Sequence, residues 1–405
     1  MNRSLLYQWF GVQGYTYRKS EHKDCATTLY IEERNDKIVH CPHCGGTHII
    51  KYGKSIREVR SLPVGSKRTY LSMHMQRYYC KDCEKAFLNN IPFVKGNASY
   101  TFRFSRYVIE LLGLGLTIKE VSRHLQVCWD TVKEIHERYL RQHYAYPPLK
   151  DVRHIGIDEF AVAKGHIYKT IVVDVETGHI IYVGEGKGKD ALVKFWRRVR
   201  HAGAQIQTVS SDLSPAFIAS VRENAPDAIH VYDHFHVIKL VNEAVDSVRR
   251  QTYNNEKDKE MRQVIKGNRW LLLYRDKSKW KDDMHQRLQT ILEMNKPIAT
   301  AYYLKEDVDQ IWKMSTKQEA DQYLEQWCRT AEESELQPMK KVALTIRKHK
   351  VGILAWYDYK TSNAIVEGIN NKIKVMKRRA YGYRDQTYFN LRLLGLHDRT
   401  NANVG

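Results

Sequence analysis

A chain of 405 residues is longer than one hydrophobic core usually supports, so several domains are expected. Its composition, 42% apolar and 28% charged, is globular, and no stretch approaches the roughly 18 consecutive apolar residues of a membrane span. Sixty-six Lys and Arg against 46 Asp and Glu leave a formal charge of +20, which attracts a polyanion through its phosphates and points to nucleic acid, not to a membrane or a small-molecule substrate.

The opening residues, Met1 to Phe10, carry no secretion-like pattern, so a cytoplasmic, nucleoid-associated setting is expected. The first zone, residues 1–97, is rich in short β-like runs, such as Leu71 to Tyr79, where Leu71, Met73 and Met75 alternate with polar neighbours. Four of the seven cysteines fall here in two pairs, Cys41-Pro-His-Cys44 and Cys80-Lys-Asp-Cys83. In a reducing compartment such pairs present four thiolates from two tight turns, which completes a closed tetrahedral site for structural Zn²⁺. His43, His48 and His74 are competing ligands, and a redox pair or unliganded cysteines are the alternatives. Cys25, Cys128 and Cys328 read as small buried hydrophobes or surface thiols.

Residues 98–146 change to helical spacing, with Phe104, Tyr107, Val108, Leu111 and Leu112 forming an apolar face. Thr117-Ile-Lys-Glu120 carries the capping-box signature and opens a short helix through Leu125. A turn at Gln126-Val127 leads to a second helix near Trp129, with Val132 and Ile135 buried. Helix, turn, helix is the arrangement that puts a recognition helix in the DNA major groove, so Thr131 and Lys133 are expected to face DNA. A helical hairpin that only packs is the alternative. Pro147-Pro148 then marks a boundary.

Residues 151–236 read as three strands (154–163, 166–175 and 179–184) turning at Gly165 and Thr177-Gly178. A helix over 189–201, a strand over 206–210, a helix over 214–223 and a strand over 228–232 follow. Asp158 sits within the first strand, where an isolated carboxylate is costly, and Asp212 ends the fourth. In an RNase H-like sheet those two strands lie side by side. Taken singly, each acid is better read as a strand-end or helix-capping group. Residues 237–360 are helical, with five Trp read as packing residues. A last helix over about 362–379 carries Glu367, with Glu367, Asn370, Asn371 and Lys374 on one face. Downstream, Lys372, Lys374, Lys377, Arg378 and Arg379 are suited to phosphates. Three carboxylates suit two Mg²⁺ or Mn²⁺ ions that activate a water or 3′-hydroxyl in phosphodiester hydrolysis and transesterification.

With Gly156-Ile-Asp158-Glu159-Phe160, Ser211-Asp212-Leu-Ser-Pro215, Tyr232-Asp233-His-Phe-His236 and the stretch from Asn363 to Lys374, the chain resembles bacterial insertion-sequence transposases of the ISL-three family. The resemblance spans nearly the whole length. It implies an α+β multidomain protein: a zinc ribbon (1–97), a helix-turn-helix domain (98–146), and an RNase H-like mixed α/β catalytic domain. The last is split into 151–236 and 361–405 by an all-α insertion (237–360). By position, Asp158, Asp212 and Glu367 match the family's Asp-Asp-Glu triad, with Asp233, His236 and Asn371 in support and Asp233 as rival for the second acid. The implied activity is cleavage and joining of DNA at terminal inverted repeats, by a homodimer on DNA. A structure-selective nuclease or resolvase and a non-catalytic DNA-binding regulator are the competing readings.

Overall fold

The computed structural model describes residues 5–34, 39–163, 167–274, 277, 280–359 and 364–397. The expected turn at Gly165, the strand start at His166 and the helix start at Ser362 lie outside them. The chain forms two compact units, Met1–Ala145 with Lys377–Gly405, and Tyr146–Met376.

In the first unit a short helix α1 (Leu5–Phe10) precedes strands β1 (Tyr15–Lys23), β2 (Ala26–Glu33), β3 (Ile49–Val64), β4 (Lys67–Cys80) and β5 (Ala86–Leu88). They make one sheet in the order β1-β2-β4-β3, with β5 also paired to β4. Asp24 and Cys25 both have positive φ (50° and 58°), the requirement of the tight turn that joins β1 to β2. The expected alternation on β4 holds: Leu71, Met73 and Met75 are buried against Leu6, Phe10, Ile31, Val59 and Phe93.

Three helices follow, α2 (Phe102–Gly113), α3 (Ile118–Leu125) and α4 (Trp129–Tyr144), around a core of Phe104, Val108, Leu112, Val121, Leu125, Val132 and Ile135. Both bonds of the Thr117–Glu120 capping box form, and Gln126 in the left-handed region (φ 52°) ends α3. Arg60 of β3 is buried and donates to the Leu125 carbonyl at 2.9 Å. Its guanidinium lies over the rings of Tyr70 and Phe104. The helical trio is thereby fastened to the sheet.

The second unit holds β6 (His154–Ala163), β7 (Ile167–Asp174), β8 (Ile180–Glu185), a 3-10 turn at Lys189–Leu192, α5 (Val193–Ala202), β9 (Thr208–Ser211), α6 (Pro215–Asn224) and β10 (Ile229–Tyr232). The sheet order is β10-β9-β6-β7-β8, so the first and fourth strands are neighbours as expected. β6, β7 and β8 form the antiparallel meander, and β9 runs parallel to both β6 and β10. Ile155, Ile157, Val172 and Val209 pack one face of the sheet against Phe195, Trp196, Phe217 and Val221.

A long helix α7 (His234–Asn255) then opens a helical body. It continues through α8 (Lys259–Gly267), α9 (Arg269–Leu273), α10 (Asp282–Met294), α11 (Lys296–Val308), a 3-10 turn at Asp309–Lys313, α12 (Lys317–Glu333), α13 (Gln337–Lys348), α14 (Lys350–Leu354) and α15 (Trp356–Tyr359). Of the five tryptophans there, Trp327 is at the centre of the core, and Trp280 and Trp312 pack against it. Trp270 differs: it is 68% exposed, with Arg269 over its ring. Helix α16 (Ala364–Arg379) returns to the second unit, and α17 (Gln386–Leu394) belongs to the first, where Tyr388 and Leu391 pack on Leu140 of α4. The boundary between the two compact units falls after Met376, within the expected segment 361–405.

Candidate active site

Along β6 successive side chains alternate between faces, so the strand that buries Ile155 and Ile157 in the core projects Gly156 and Asp158 from the other side. Helix α16 covers that second side. A Cβ on Gly156 would stand 2.6 Å from Val366 Cγ2, so the helix approaches this closely only because residue 156 is glycine. One turn further along α16, Asn370 Nδ2 donates to Asp158 Oδ2 at 2.6 Å. The other carboxylate oxygen of Asp158 accepts the Glu159 backbone N–H at 2.8 Å.

The neighbouring strand supplies the second acid by register. Gly156 pairs with Ser210, and Asp212 follows two residues on, just past the end of β9, where its charge acts on Asp158. Asp212 also accepts the Ser214 N–H at 3.0 Å, at the entrance to α6. Burial raises the Asp158 carboxyl above its usual range and the charge of Asp212 adds to this, against the lowering by the Glu159 amide, Asn370 and His236. Glu159 is raised by burial and by Asp212, and Lys187 and Lys239 oppose. The strand therefore gathers carboxylates that burden one another, an arrangement that fits a hard divalent cation with oxygen ligands. Among the described residues these acids do not close to within 4.8 Å as a set of three ligand atoms; only the cysteines do so.

Glu367 lies on α16 one turn before Asn370 and beside Val366, and is exposed. Asn371 is also exposed, so it is Asn370 that reaches Asp158. Asp233 caps α7 by accepting the Phe235 N–H at 3.2 Å, and its carboxylate is 3.7 Å from His236 Nε2. It follows β10, which is separated from β6 by β9, so Asp212 is the closer neighbour of Asp158. His236 acts electrostatically on Asp158. Glu159, Lys187 and Lys239 were not singled out by the sequence; for Glu159 the signal was its place directly after Asp158. Helix α16 buries Val366, Ile369, Ile373 and Met376, which leaves Lys372, Lys374, Arg378 and Arg379 exposed and Lys377 half-buried.

The four paired cysteines converge in the first unit. Cys41 Sγ is 3.6 Å from Cys83 Sγ, and Cys44 Sγ is 3.6 Å from Cys80 Sγ. A tetrahedral zinc with bonds of about 2.3 Å requires sulfurs about 3.8 Å apart, which these two spacings approach, and all four ligand atoms lie within 4.8 Å of one another. After each pair the chain enters the left-handed region, at Gly45 (φ 76°) and Glu84 (φ 56°), which folds the backbone around the sulfurs. Burial opposes ionisation of Cys41, but the His43 and Cys44 amides and neighbouring thiols outweigh it and bring the thiol down to about 7. His48 is paired with Asp82 at 2.7 Å and is not one of the four converging groups.

Residues 155–393 match the ISL3 family model described as a transposase. Residues 38–83 match the zinc finger of the IS204/IS1001/IS1096/IS1165 transposases, and residues 90–140 the helix-turn-helix domain of transposase family ISL3. The transposase for insertion sequence element IS1001 of Bordetella parapertussis is 32% identical over 398 residues, covering 97% of this chain and 98% of that one. The chain belongs to the ISL3 family of transposases. The transposase for IS1557 of Mycobacterium tuberculosis is 26% identical over 385 residues, 87% of this chain and 84% of that one. A Drosophila P element transposase in its strand transfer complex overlays with a TM-score of 0.41 at 14% identity, over 73% of this chain and 92% of that one, a likeness that carries no argument about fold.

This DNA-binding transposase therefore combines a zinc ribbon, a helix-turn-helix and a catalytic domain in one chain. Its second helix, α4, presents Trp129, Asp130 and Glu134 to solvent and leaves Thr131 half-buried. Lys133 differs from the expected outward-facing cation. It is paired with Asp385 at 2.6 Å, is 22% exposed, and lies over the rings of Trp129 and Tyr388. Three residues on, His136 bonds Tyr388 Oη at 2.8 Å. No helix among the described residues of the transposase is long and apolar enough to cross a membrane.

Proposed function

We propose that this transposase binds the terminal inverted repeats of its own element as a homodimer, and that Asp158, Asp212 and Glu367 form the site where DNA strands are cut and joined. The observation that carries the reading is the adjacency of the parallel strands β6 and β9, which puts Asp158 within the electrostatic reach of Asp212, beneath the helix that bears Glu367. Asp158 and Asp212 come from a packed sheet and Glu367 from a helix seated on it, which supports a fixed constellation of oxygen ligands. Mg²⁺ or Mn²⁺, in a pair, would activate the attacking hydroxyl and stabilise the leaving oxygen. The exposed Lys372 and Lys374 lie along the same helix and are suited to hold phosphates beside the acids, and Lys377, Arg378 and Arg379 continue the basic run toward DNA. Water attack would first free a 3′-hydroxyl, and that hydroxyl would then attack target DNA, with no covalent enzyme intermediate.

Purified protein with end-containing DNA and Mg²⁺ or Mn²⁺ should yield cut and joined strands. Asp158→Ala and Glu367→Ala should each abolish both products while end binding persists. Cleavage without end preference and without joined product would favour a structure-selective nuclease, and full activity in both variants would remove the triad.

A further inference from the structure

We infer that Asn370 is a positioning residue for Asp158, setting the orientation of that carboxylate toward the catalytic cation. The inference rests on the assignment of Asp158 to the active site. Two observations carry it. Asn370 Nδ2 bonds Asp158 Oδ2 at 2.6 Å, while the other oxygen of the same carboxylate is held by the Glu159 N–H at 2.8 Å, so both C–O directions of Asp158 are fixed from outside. The Asn370 Oδ1 atom, by contrast, is shielded from solvent with no hydrogen-bond partner among the described residues.

An alkyl side chain of like volume would fill the same space without addressing Asp158, whereas Asn370 addresses it directly. Its donor side makes the strong bond, to an ionised acceptor. The helix is also brought close for this contact: Val366, one turn before Asn370, lies where a Cβ on Gly156 would be 2.6 Å away. Gly156 and Asp158 are on the same face of β6, so the glycine that admits the helix and the acid that receives the amide form one device. An outer group that orients a metal-binding carboxylate acts on affinity and rate together.

Asn370→Leu, which keeps the volume and loses the donor, tests this in the full-length protein. Three quantities are measured: the Mn²⁺ concentration at the midpoint of the metal-induced rise in Tm without DNA, the rate of end cleavage at saturating Mn²⁺, and the Tm without metal. The expected result is a midpoint raised, or a rate lowered, by about 10–100-fold. The metal-free Tm should fall only modestly, because Asp158 Oδ2 loses a donor, and end-DNA affinity should be unchanged. Asn370→Gln, which retains an amide donor, should recover part of the loss. Asn370→Ser serves the same test should the leucine variant fail to fold. A wild-type Mn²⁺ midpoint and rate in the folded variants overturn the inference, whether or not the metal-free Tm falls. Asp158→Ala is assayed alongside. Its inactivity with a wild-type Asn370→Leu overturns only the role of Asn370, whereas its full activity overturns the site itself.

Discussion

Asp212 and Asp233 both follow short parallel strands, both precede a helix, and both accept a backbone N–H two residues on. From the sequence the two are close rivals for the second acid. The sheet separates them, because β9 touches β6 and β10 does not. Asp212→Ala should therefore reduce end cleavage to background, whereas Asp233→Ala should leave measurable activity and lower the unfolding free energy through the lost cap, by roughly 1 kcal/mol. Equal residual rates would contradict this ranking. Gly156 invites a second substitution. Gly156→Ala drives a methyl into Val366, and overpacking of this kind costs about 1–3 kcal/mol. Because the strain falls between β6 and α16, thermal unfolding should show that loss together with a larger proportional fall in cleavage than in DNA binding.

Helix α4 illustrates how an element can be found from sequence while its surroundings are not. The capping box, the left-handed Gln126 and the spacing of Val132 and Ile135 are local signals, and all of them hold. What covers the helix lies 252 residues away: Asp385 on Lys133 and Tyr388 on His136, contacts that no local pattern announces. The same limit hid Arg60 beneath α3 and favoured Asn371 over Asn370, since one position on a helix face is decided only by the partner it meets. Docking of α17 has a consequence for pH. Arg392 approaches His136 Nε2 and Tyr388 Oη approaches Nδ1, so the buried ring is neutral with its proton on Nδ1. Burial first, and then the charge of Arg392, lower its pKa to about 3. The unfolded chain, with an ordinary value near 6.5, takes up the proton more readily, so stability is full above about pH 6.5 and falls as pH drops toward 3. Denaturant titration should show this contribution shrinking by on the order of 3 kcal/mol between pH 7 and pH 4. His136→Gln should flatten the slope in that window, and an unchanged slope would assign the acid sensitivity elsewhere.

Across the whole chain, the legible parts were those with covalent or periodic signatures: two C-x-x-C pairs, a strand-helix order, and apolar faces at regular spacing. The four sulfurs close to zinc-binding distances although 35 residues separate the pairs, because β3 and β4 form a hairpin that brings Ile49 opposite Cys80. Metal and sheet thus depend on one another. Removal of zinc by a chelator, or Cys80→Ser, should abolish stoichiometric zinc, loosen the β3–β4 hairpin in hydrogen exchange and weaken end binding, with little effect on exchange in β6 to β9. Protection lost equally in both sheets would show one cooperative block instead. The division at Met376 was not legible, since α16 continues without a break in periodicity through the point where the chain changes unit.

That continuity makes α16 a ruler. Glu367 and Lys374 share a face seven residues apart, and at 1.5 Å per residue they are separated by about 10 Å, roughly three base-pair steps of B-form rise. A rigid α-helix does not stretch, so with Glu367 as the proposed catalytic acid and Lys374 as the proposed phosphate contact, their spacing is the same on every substrate. The offset between scissile phosphate and anchored phosphate would then be written into the helix itself, in units of its own pitch.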